Sequence, residues 1–223
     1  MASPVELVIF DCDGVLVDSE RIALRINVEL GAEMGWTMDE EEILDRFLGR
    51  SGAAVRAQIA ERLGEAGATE WDQRYQERLH AAIPTELTPV PGIRSALAAL
   101  ADREERGELR TCIASSGDHA KMRLTLGTTG LYPLFEGRIF STTEVARGKP
   151  APDLFLHAAR RMGAEPASCV VVEDSHHGVN AARAAGMRSL GYAGGLTRPE
   201  RLAGPDTIVF EDMARLPELI FGL

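Results

Sequence analysis

VELVIFDCDGVLVDSE, from Val5 to Glu20, sets an apolar run directly before two aspartates, a glycine and a third aspartate. Glu6–Phe10 is short, continuous and apolar, the pattern of a buried strand. Asp11 and Asp13 follow it with only Cys12 between them. Two carboxylates that close repel each other, so their place at the end of such a strand calls for a charge to oppose them.

Downstream, from Ser19 to about Ile83, no strand signal occurs. Apolar residues recur at helical spacing: Ile22, Ile26 and Leu30, then Ile43 and Phe47, then Val55, Ile59 and Leu63. Breaks fall near Gly31–Thr37, Gly49–Gly52 and Gly64–Thr69, so four helices are expected, ending at a Pro-rich hinge over Pro84–Gly92. Asp18 and Ser19 are expected to cap the first of them. Between Val15 and Thr88 there are 15 acidic and 8 basic residues, against 19 and 16 elsewhere, which marks this block as a separate, solvated unit.

Beyond the hinge the pattern changes. Helical segments alternate with apolar strands at Arg110–Ala114, Arg138–Phe140, Cys169–Glu173, Ser189–Tyr192 and Thr207–Phe210. That alternation predicts an α/β core, a parallel sheet with helices on both faces, interrupted after its first strand by an all-helical insertion. In such sheets ligands bind beyond the carboxyl ends of the strands. Asp11 and Asp13 end the first strand, Ser115-Ser116-Gly117 the second, and Glu173-Asp174 the CVVVE strand; Gly148-Lys149-Pro150 precedes a helix. If the strands are parallel, four carboxylates, a hydroxyl and an ammonium converge on one edge. A hard divalent cation with oxygen ligands suits that set, and Mg2+ takes one or two carboxylates while keeping waters and phosphate oxygens.

DCDGVLVDS, IASSG, RGKPAPDLF and VVVEDSHHGV, in that order, resemble the four motifs of the haloacid dehalogenase superfamily of phosphohydrolases. Within it the chain is most similar to the β-phosphoglucomutase-like and sugar-phosphate phosphatase branch. The resemblance implies a Rossmann-like core over residues 1–15 and 88–223 and a helical cap over 16–87. It implies that Asp11 is the nucleophile that becomes an aspartyl-phosphate, and that Asp13 protonates the leaving alcohol and then activates water. It implies Mg2+ held by Asp11, the Asp13 backbone carbonyl and Asp174 with Glu173 in support, Ser115 on a phosphoryl oxygen, and Lys149 offsetting charge. Ser116 and Gly117 are candidates to face phosphate, and Arg50 and Glu20 to reach the rest of the substrate. Asp13 also separates the chain from the dehalogenase, phosphonate-cleaving and ion-pumping ATPase branches.

Of 24 basic residues only Lys121 and Lys149 are lysine. Lys149 suits a compact point charge; Lys121 is expected on a solvated helix face. Adjacent His176 and His177 point apart on a helix and make a poor metal pair. The net charge of -10 and the absence of a basic stripe argue against nucleic acid. No apolar stretch reaches the roughly 18 residues of a membrane span. The N-terminus lacks a basic leader. Cys12, Cys112 and Cys169 are an odd set read as small core residues, so no disulfide framework is expected and a reducing cytoplasm fits.

The expected function is a Mg2+-dependent phosphatase acting on a small phosphorylated sugar or sugar acid, as a monomer or weak homodimer. Two alternatives are a β-phosphoglucomutase-like isomerase and a non-catalytic phosphate-binding regulatory module. Mutases of the resembling branch carry a histidine where Ala23 stands and an arginine where Gly52 stands. An inactive relative should have lost a catalytic group, and none is missing.

Overall fold

The computed structural model describes residues 4–48, 50 and 52–223. Its centre is strand β1 (Leu7–Phe10), every residue of which is buried. A strand covered on both faces reads as an unbroken apolar run, which is why LVIF shows no alternation. β1 pairs in parallel with β2 (Arg110–Ser115) on one side and with β4 (Cys169–Glu173) on the other. β3 (Ile139–Ser141) extends the sheet beyond β2, and β5 (Arg188–Tyr192) and β6 (Thr207–Phe210) extend it beyond β4. The order is β3-β2-β1-β4-β5-β6, and every pairing is parallel. Successive strands step outward from β1 in one direction and from β4 in the other. The switch therefore lies between β1 and β4, where such sheets open a crevice at their carboxyl ends.

Alternate residues of the strands feed two cores. Val8, Phe10, Ile113, Val170 and Val172 face one side, toward α4 (Ile93–Glu105), α5 (His119–Thr128) and α10 (Leu216–Phe221). Leu7, Ile9, Cys112, Ala114 and Val171 face the other, toward α7 (Asp153–Met162) and α8 (His176–Ala184). The three cysteines are free and buried, as read from the sequence. Two single-turn helices, α6 (Tyr132–Phe135) and α9 (Pro199–Leu202), carry no periodicity and were not legible in the sequence.

Between β1 and α4 the chain forms α1 (Glu20–Glu33), α2 (Glu40–Phe47) and α3 (Gly52–Glu86). Gly64, at φ 77° and ψ 168°, breaks α3 in two, so the four expected helical segments are present. Their apolar stripes meet at Trp36, Phe47 and Trp71, whose rings stand 6.0 to 6.3 Å apart. The Trp71 indole N–H donates to Asn27 Oδ1 at 3.2 Å, so the aromatic centre contains no stranded donor. Gly49 and Ser51 of the expected α2–α3 connection lie outside the described residues. The hinge is shorter than expected, because α3 runs through Pro84 to Glu86. A proline costs a helix one donor and a carbonyl clash, and here the last turn keeps its register through buried Leu79, Ala82 and Ile83. The two connections to the core then pair with each other: Asp18 N–H donates to Thr88 O at 2.9 Å and Val90 N–H to Leu16 O at 3.0 Å.

Candidate active site

The carboxyl ends of β1, β2 and β4 open into one cavity of about 740 Å³, roofed by α1 and α3. Asp11, Asp13, Ser115, Ser116, Gly117, Lys149, Glu173 and Asp174 line its floor, and Glu20 and Arg50 line its upper wall. All ten residues singled out in the sequence therefore face the same space. β1 delivers Asp11 directly: its N–H continues the ladder to Val172 O at 2.9 Å.

Two glycines let the acids crowd together. A Cβ on Gly14, which has φ 75°, would stand 2.0 Å from Asp174 Oδ2. A Cβ on Gly178 would stand 1.8 Å from the Glu173 carboxylate. Oxygens of Asp11, Glu173 and Asp174 lie within 4.8 Å of one another, all three residues buried. Lys149 reaches in from the loop before α7, its Nζ 2.6 Å from Asp11 Oδ1 and 2.7 Å from Glu173 Oε1. The other Glu173 oxygen accepts from the Ser175 N–H at 2.7 Å and the Ser175 hydroxyl at 2.9 Å. Glu173 is thus engaged at both ends, whereas Asp174 Oδ2 and Glu20 Oε2 are buried with no hydrogen-bond partner.

Burial pushes the Asp11 carboxyl up to about 7, helped by the charges of Glu173 and Asp13 and opposed by Lys149. Burial also raises Glu20 to about 7, opposed by its contact with Asp174 and helped by the charges of Asp13, Asp11 and Glu173. Asp174 is raised well above the carboxylate range by burial and then by Glu20, Glu173 and Asp11. Burial alone would lower the Lys149 ammonium, but Asp11 and Glu173 hold it above the usual lysine value. Stranded oxygens on mutually repelling carboxylates are what an oxygen-liganded cation resolves, because its charge inverts the local balance. The donor set fits such an ion.

Asp13 belongs to a different environment. Its Oδ2 accepts from Lys121 Nζ at 2.7 Å and its Oδ1 from Ser19 Oγ at 2.5 Å. Burial opposes ionisation, but Lys121 and Ser19 prevail and hold its carboxyl below the usual range. This corrects two expectations. Lys121 is not on a solvated face; α5 starts at the end of the β2 loop, and its first turn aims the side chain across the cavity. Ser19 occupies the position before α1 but makes no side-chain cap, because Asp13 takes its hydroxyl. Asp18 pairs instead with Arg21 at 3.2 Å. The one hint of Lys121 in the sequence was its rarity as a lysine among arginines.

Ser115 Oγ accepts from the Gly117 N–H at 3.1 Å, which leaves its own proton free to donate and occupies the Gly117 amide within the loop. His177 lines the cavity, its ring held below the usual range by burial, His176 and Arg50. His176 turns away to the Arg201 carbonyl at 3.0 Å, so the two rings make no metal pair.

Residues 5–186 match the family model of the haloacid dehalogenase-like hydrolases. The chain belongs to that family. It is 31% identical over 218 residues to the 6-phosphogluconate phosphatase of Escherichia coli K12, covering 97% of this chain and 95% of that one. It is 29% identical over 216 residues to the β-phosphoglucomutase of Bacillus subtilis, covering 92% and 89%. A crystal structure of a haloacid dehalogenase-like protein of unknown function from Agrobacterium tumefaciens superposes with a TM-score of 0.82 at 34% identity, covering 97% of each chain. Membership of this family, with a named phosphatase aligned over almost the whole chain, makes the protein a phosphoric monoester hydrolase. Among the described residues no helix is long and apolar enough to cross a membrane.

Proposed function

We propose that the protein is a Mg2+-dependent phosphatase that hydrolyses a small phosphorylated sugar or sugar acid through a phosphoryl group carried on Asp11. The observation that carries this reading is the separation of the two neighbouring aspartates. Asp11 lies in the buried acid cluster against Lys149, and Asp13 stands apart on Lys121 and Ser19. Paired titratable groups driven into different environments take different roles. Asp11 acts as nucleophile, kept ionised by Lys149 and by the ion the cluster would hold. Asp13, held ionised by Lys121 and Ser19 in the free site, takes up a proton once the negative charge of a bound phosphoryl group stands beside it, gives that proton to the leaving alcohol and later takes one from the attacking water. Lys149 offsets the charge on Asp11 and the phosphoryl oxygens, and Ser115 donates its free proton to one of them. Asp11, Asp174 and the Asp13 backbone carbonyl hold the ion, with Glu173 braced behind them by Lys149 and Ser175. When bound, the ion supplies positive charge to the phosphoryl oxygens.

Residues 1–15 and 88–223 act as the core and 16–87 as the cap, which brings Glu20 and Arg50 to the part of the substrate beyond the phosphate, with Ser116 below. A reducing cytoplasm suits the three free, buried cysteines. Hydrolysis is favoured over isomerisation because Ala23, where the family's mutases carry histidine, lines the cavity and offers no proton relay.

The test is a panel of phosphorylated sugars and sugar acids, 6-phosphogluconate among them, with release of inorganic phosphate followed in Mg2+ and in EDTA. Phosphate release should need the ion and vanish in Asp11→Asn. Full activity in EDTA, or in Asp11→Asn, would sink the mechanism. A further arm supplies β-glucose 1-phosphate with a trace of glucose 1,6-bisphosphate; glucose 6-phosphate forming faster than inorganic phosphate would instead establish a mutase.

A further inference from the structure

A second cavity, of about 310 Å³, lies apart from the catalytic one, at the free edge of β3. Ile139 and Phe140 both line it, although successive residues of a strand face opposite sides of a sheet, so the cavity wraps around the strand edge. α5 brings Arg123 to it from one face, and α7 brings Arg161 from the other. The two arginines set the site apart. The chain carries 34 acidic residues against 24 basic ones, and nearby guanidiniums are answered: Arg138 lies 2.7 Å from Glu104 and Arg147 2.8 Å from Asp153. Among the described residues Arg123 and Arg161 have no carboxylate partner. Each stands against a ring instead, Arg123 at 4.9 Å from the centre of Tyr132 and Arg161 at 5.9 Å from that of Phe140. A ring holds a guanidinium by its charge and leaves its N–H donors unspent. The one carboxylate in the lining, Glu144, is engaged elsewhere: Oε1 accepts from the Ser141 N–H at 2.7 Å and His119 Nε2 at 2.9 Å, and Oε2 from His157 Nε2 at 3.0 Å.

We propose that this cavity is a second ligand site, for a small organic dianion with one acid group on Arg123, the other on Arg161, and an apolar middle between them. Two guanidiniums that approach from opposite faces of the strand call for two separated anionic groups, and the planar fork of each matches the oxygens of a carboxylate. Met122, Ile139 and Phe140 offer carbon surface between the two charges. The volume stands at the lower end of the range of small-molecule sites, which suits a short carbon chain. The site is also wired to the catalytic one. Ser141, whose N–H holds Glu144, donates its hydroxyl to the Gly117 carbonyl at 2.8 Å. Gly117 in turn donates its N–H to Ser115 Oγ at 3.1 Å, on the floor of the catalytic cavity. A ligand that fixes the β3 edge therefore reaches the Ser115–Gly117 loop through Ser141.

The test is a titration of the full chain, with Mg2+ present, followed by heteronuclear NMR of the arginine Nε–H groups and the Gly117 amide. The probes are succinate, glutarate and adipate, which differ in the spacing of their two carboxylates, and butyrate, which has the length of succinate and a single charge. At least one dicarboxylate should shift Arg123 and Arg161 saturably, with Gly117 moving in step. Butyrate should bind about tenfold or more weaker, as should the best dicarboxylate to Arg123→Gln or to Arg161→Gln, the loss expected for one charge-assisted contact. In the Arg123→Gln/Arg161→Gln protein the Gly117 shift should vanish. Both side chains are exposed, so the variants keep the fold, and an otherwise unchanged spectrum checks this. Three results overturn the proposal: no saturable shift of the two arginines with any dicarboxylate, butyrate binding as tightly as succinate, or a Gly117 shift that survives in the double variant. The last would place the anion in the catalytic cavity. None of these readouts needs turnover, so they stand whatever phosphate ester the protein hydrolyses.

Discussion

Gly178 opens α8 directly behind Glu173, and a methyl group there would occupy the space of the carboxylate. That carboxylate cannot simply swing aside, because Lys149 holds one oxygen and Ser175 the other. Gly178→Ala should therefore displace Glu173, release Lys149 from one of its two acids and loosen the ion site. Changes to groups that brace ligands typically cost 10–100-fold in metal affinity. Titration of Mg2+ by calorimetry should show a loss of about tenfold or more; unchanged affinity would mean that Glu173 has no part in holding the ion. At this scale the sequence was read well wherever a residue closes a strand. Asp11, Ser115, Glu173 and Asp174 were placed from the parallel pattern alone. Lys121 and Ser19 were misread because their roles depend on which way a helix turn faces, and that is set by packing.

At the scale of elements, α2 of the helical block meets the segment around α9. Arg198 Nη2 lies 2.7 Å from Glu41 Oε1, and Arg201 Nη2 lies 2.5 Å from Asp45 Oδ1. Both pairs are exposed, and such pairs contribute ~0–1 kcal/mol each and are screened by salt. They form a weak clasp between the helical block and the core, apart from the paired linkers of the hinge. Ionic strength of about 0.5 M, where the screening length falls well below 10 Å, should shift the block toward an open form and increase the radius of gyration in small-angle scattering. An Arg198→Ala/Arg201→Ala protein should be expanded already at low salt and respond no further. A radius independent of salt in the wild-type protein would show that the clasp does not hold the block. The helices themselves were legible from their apolar spacing. The clasp was not, because Arg198 and Glu41 are 157 residues apart and nothing local links them.

For the whole molecule, the acid cluster ties stability to pH. In the ion-free protein Asp11 and Glu20 take up protons near pH 7, against unperturbed values of 3.8 and 4.5. Between those limits the folded state binds more protons than the unfolded state, so stability falls as pH rises. In EDTA the unfolding temperature should drop as pH is raised from about 5 to about 8. Glu20→Gln should show a smaller drop, since one of the buried acids whose pKa is raised no longer titrates. Mg2+ should raise the unfolding temperature more at the higher pH, where the carboxylates are charged and bind it best. An unfolding temperature that is flat with pH in EDTA would contradict the burial of these groups.

Local pattern was enough to reveal the parallel core, the helical insertion and the acidic strand ends. Apolar run lengths, helical spacing and breaks are properties of neighbouring residues, and a parallel sheet brings all its carboxyl ends to one edge. Tertiary structure alone decided which partners those acids take. Asp11 and Asp13 are two residues apart, yet one faces Lys149 and the other Lys121 and Ser19. That division comes from helices packed against the sheet from distant parts of the chain, and no local spacing encodes the direction in which their side chains arrive.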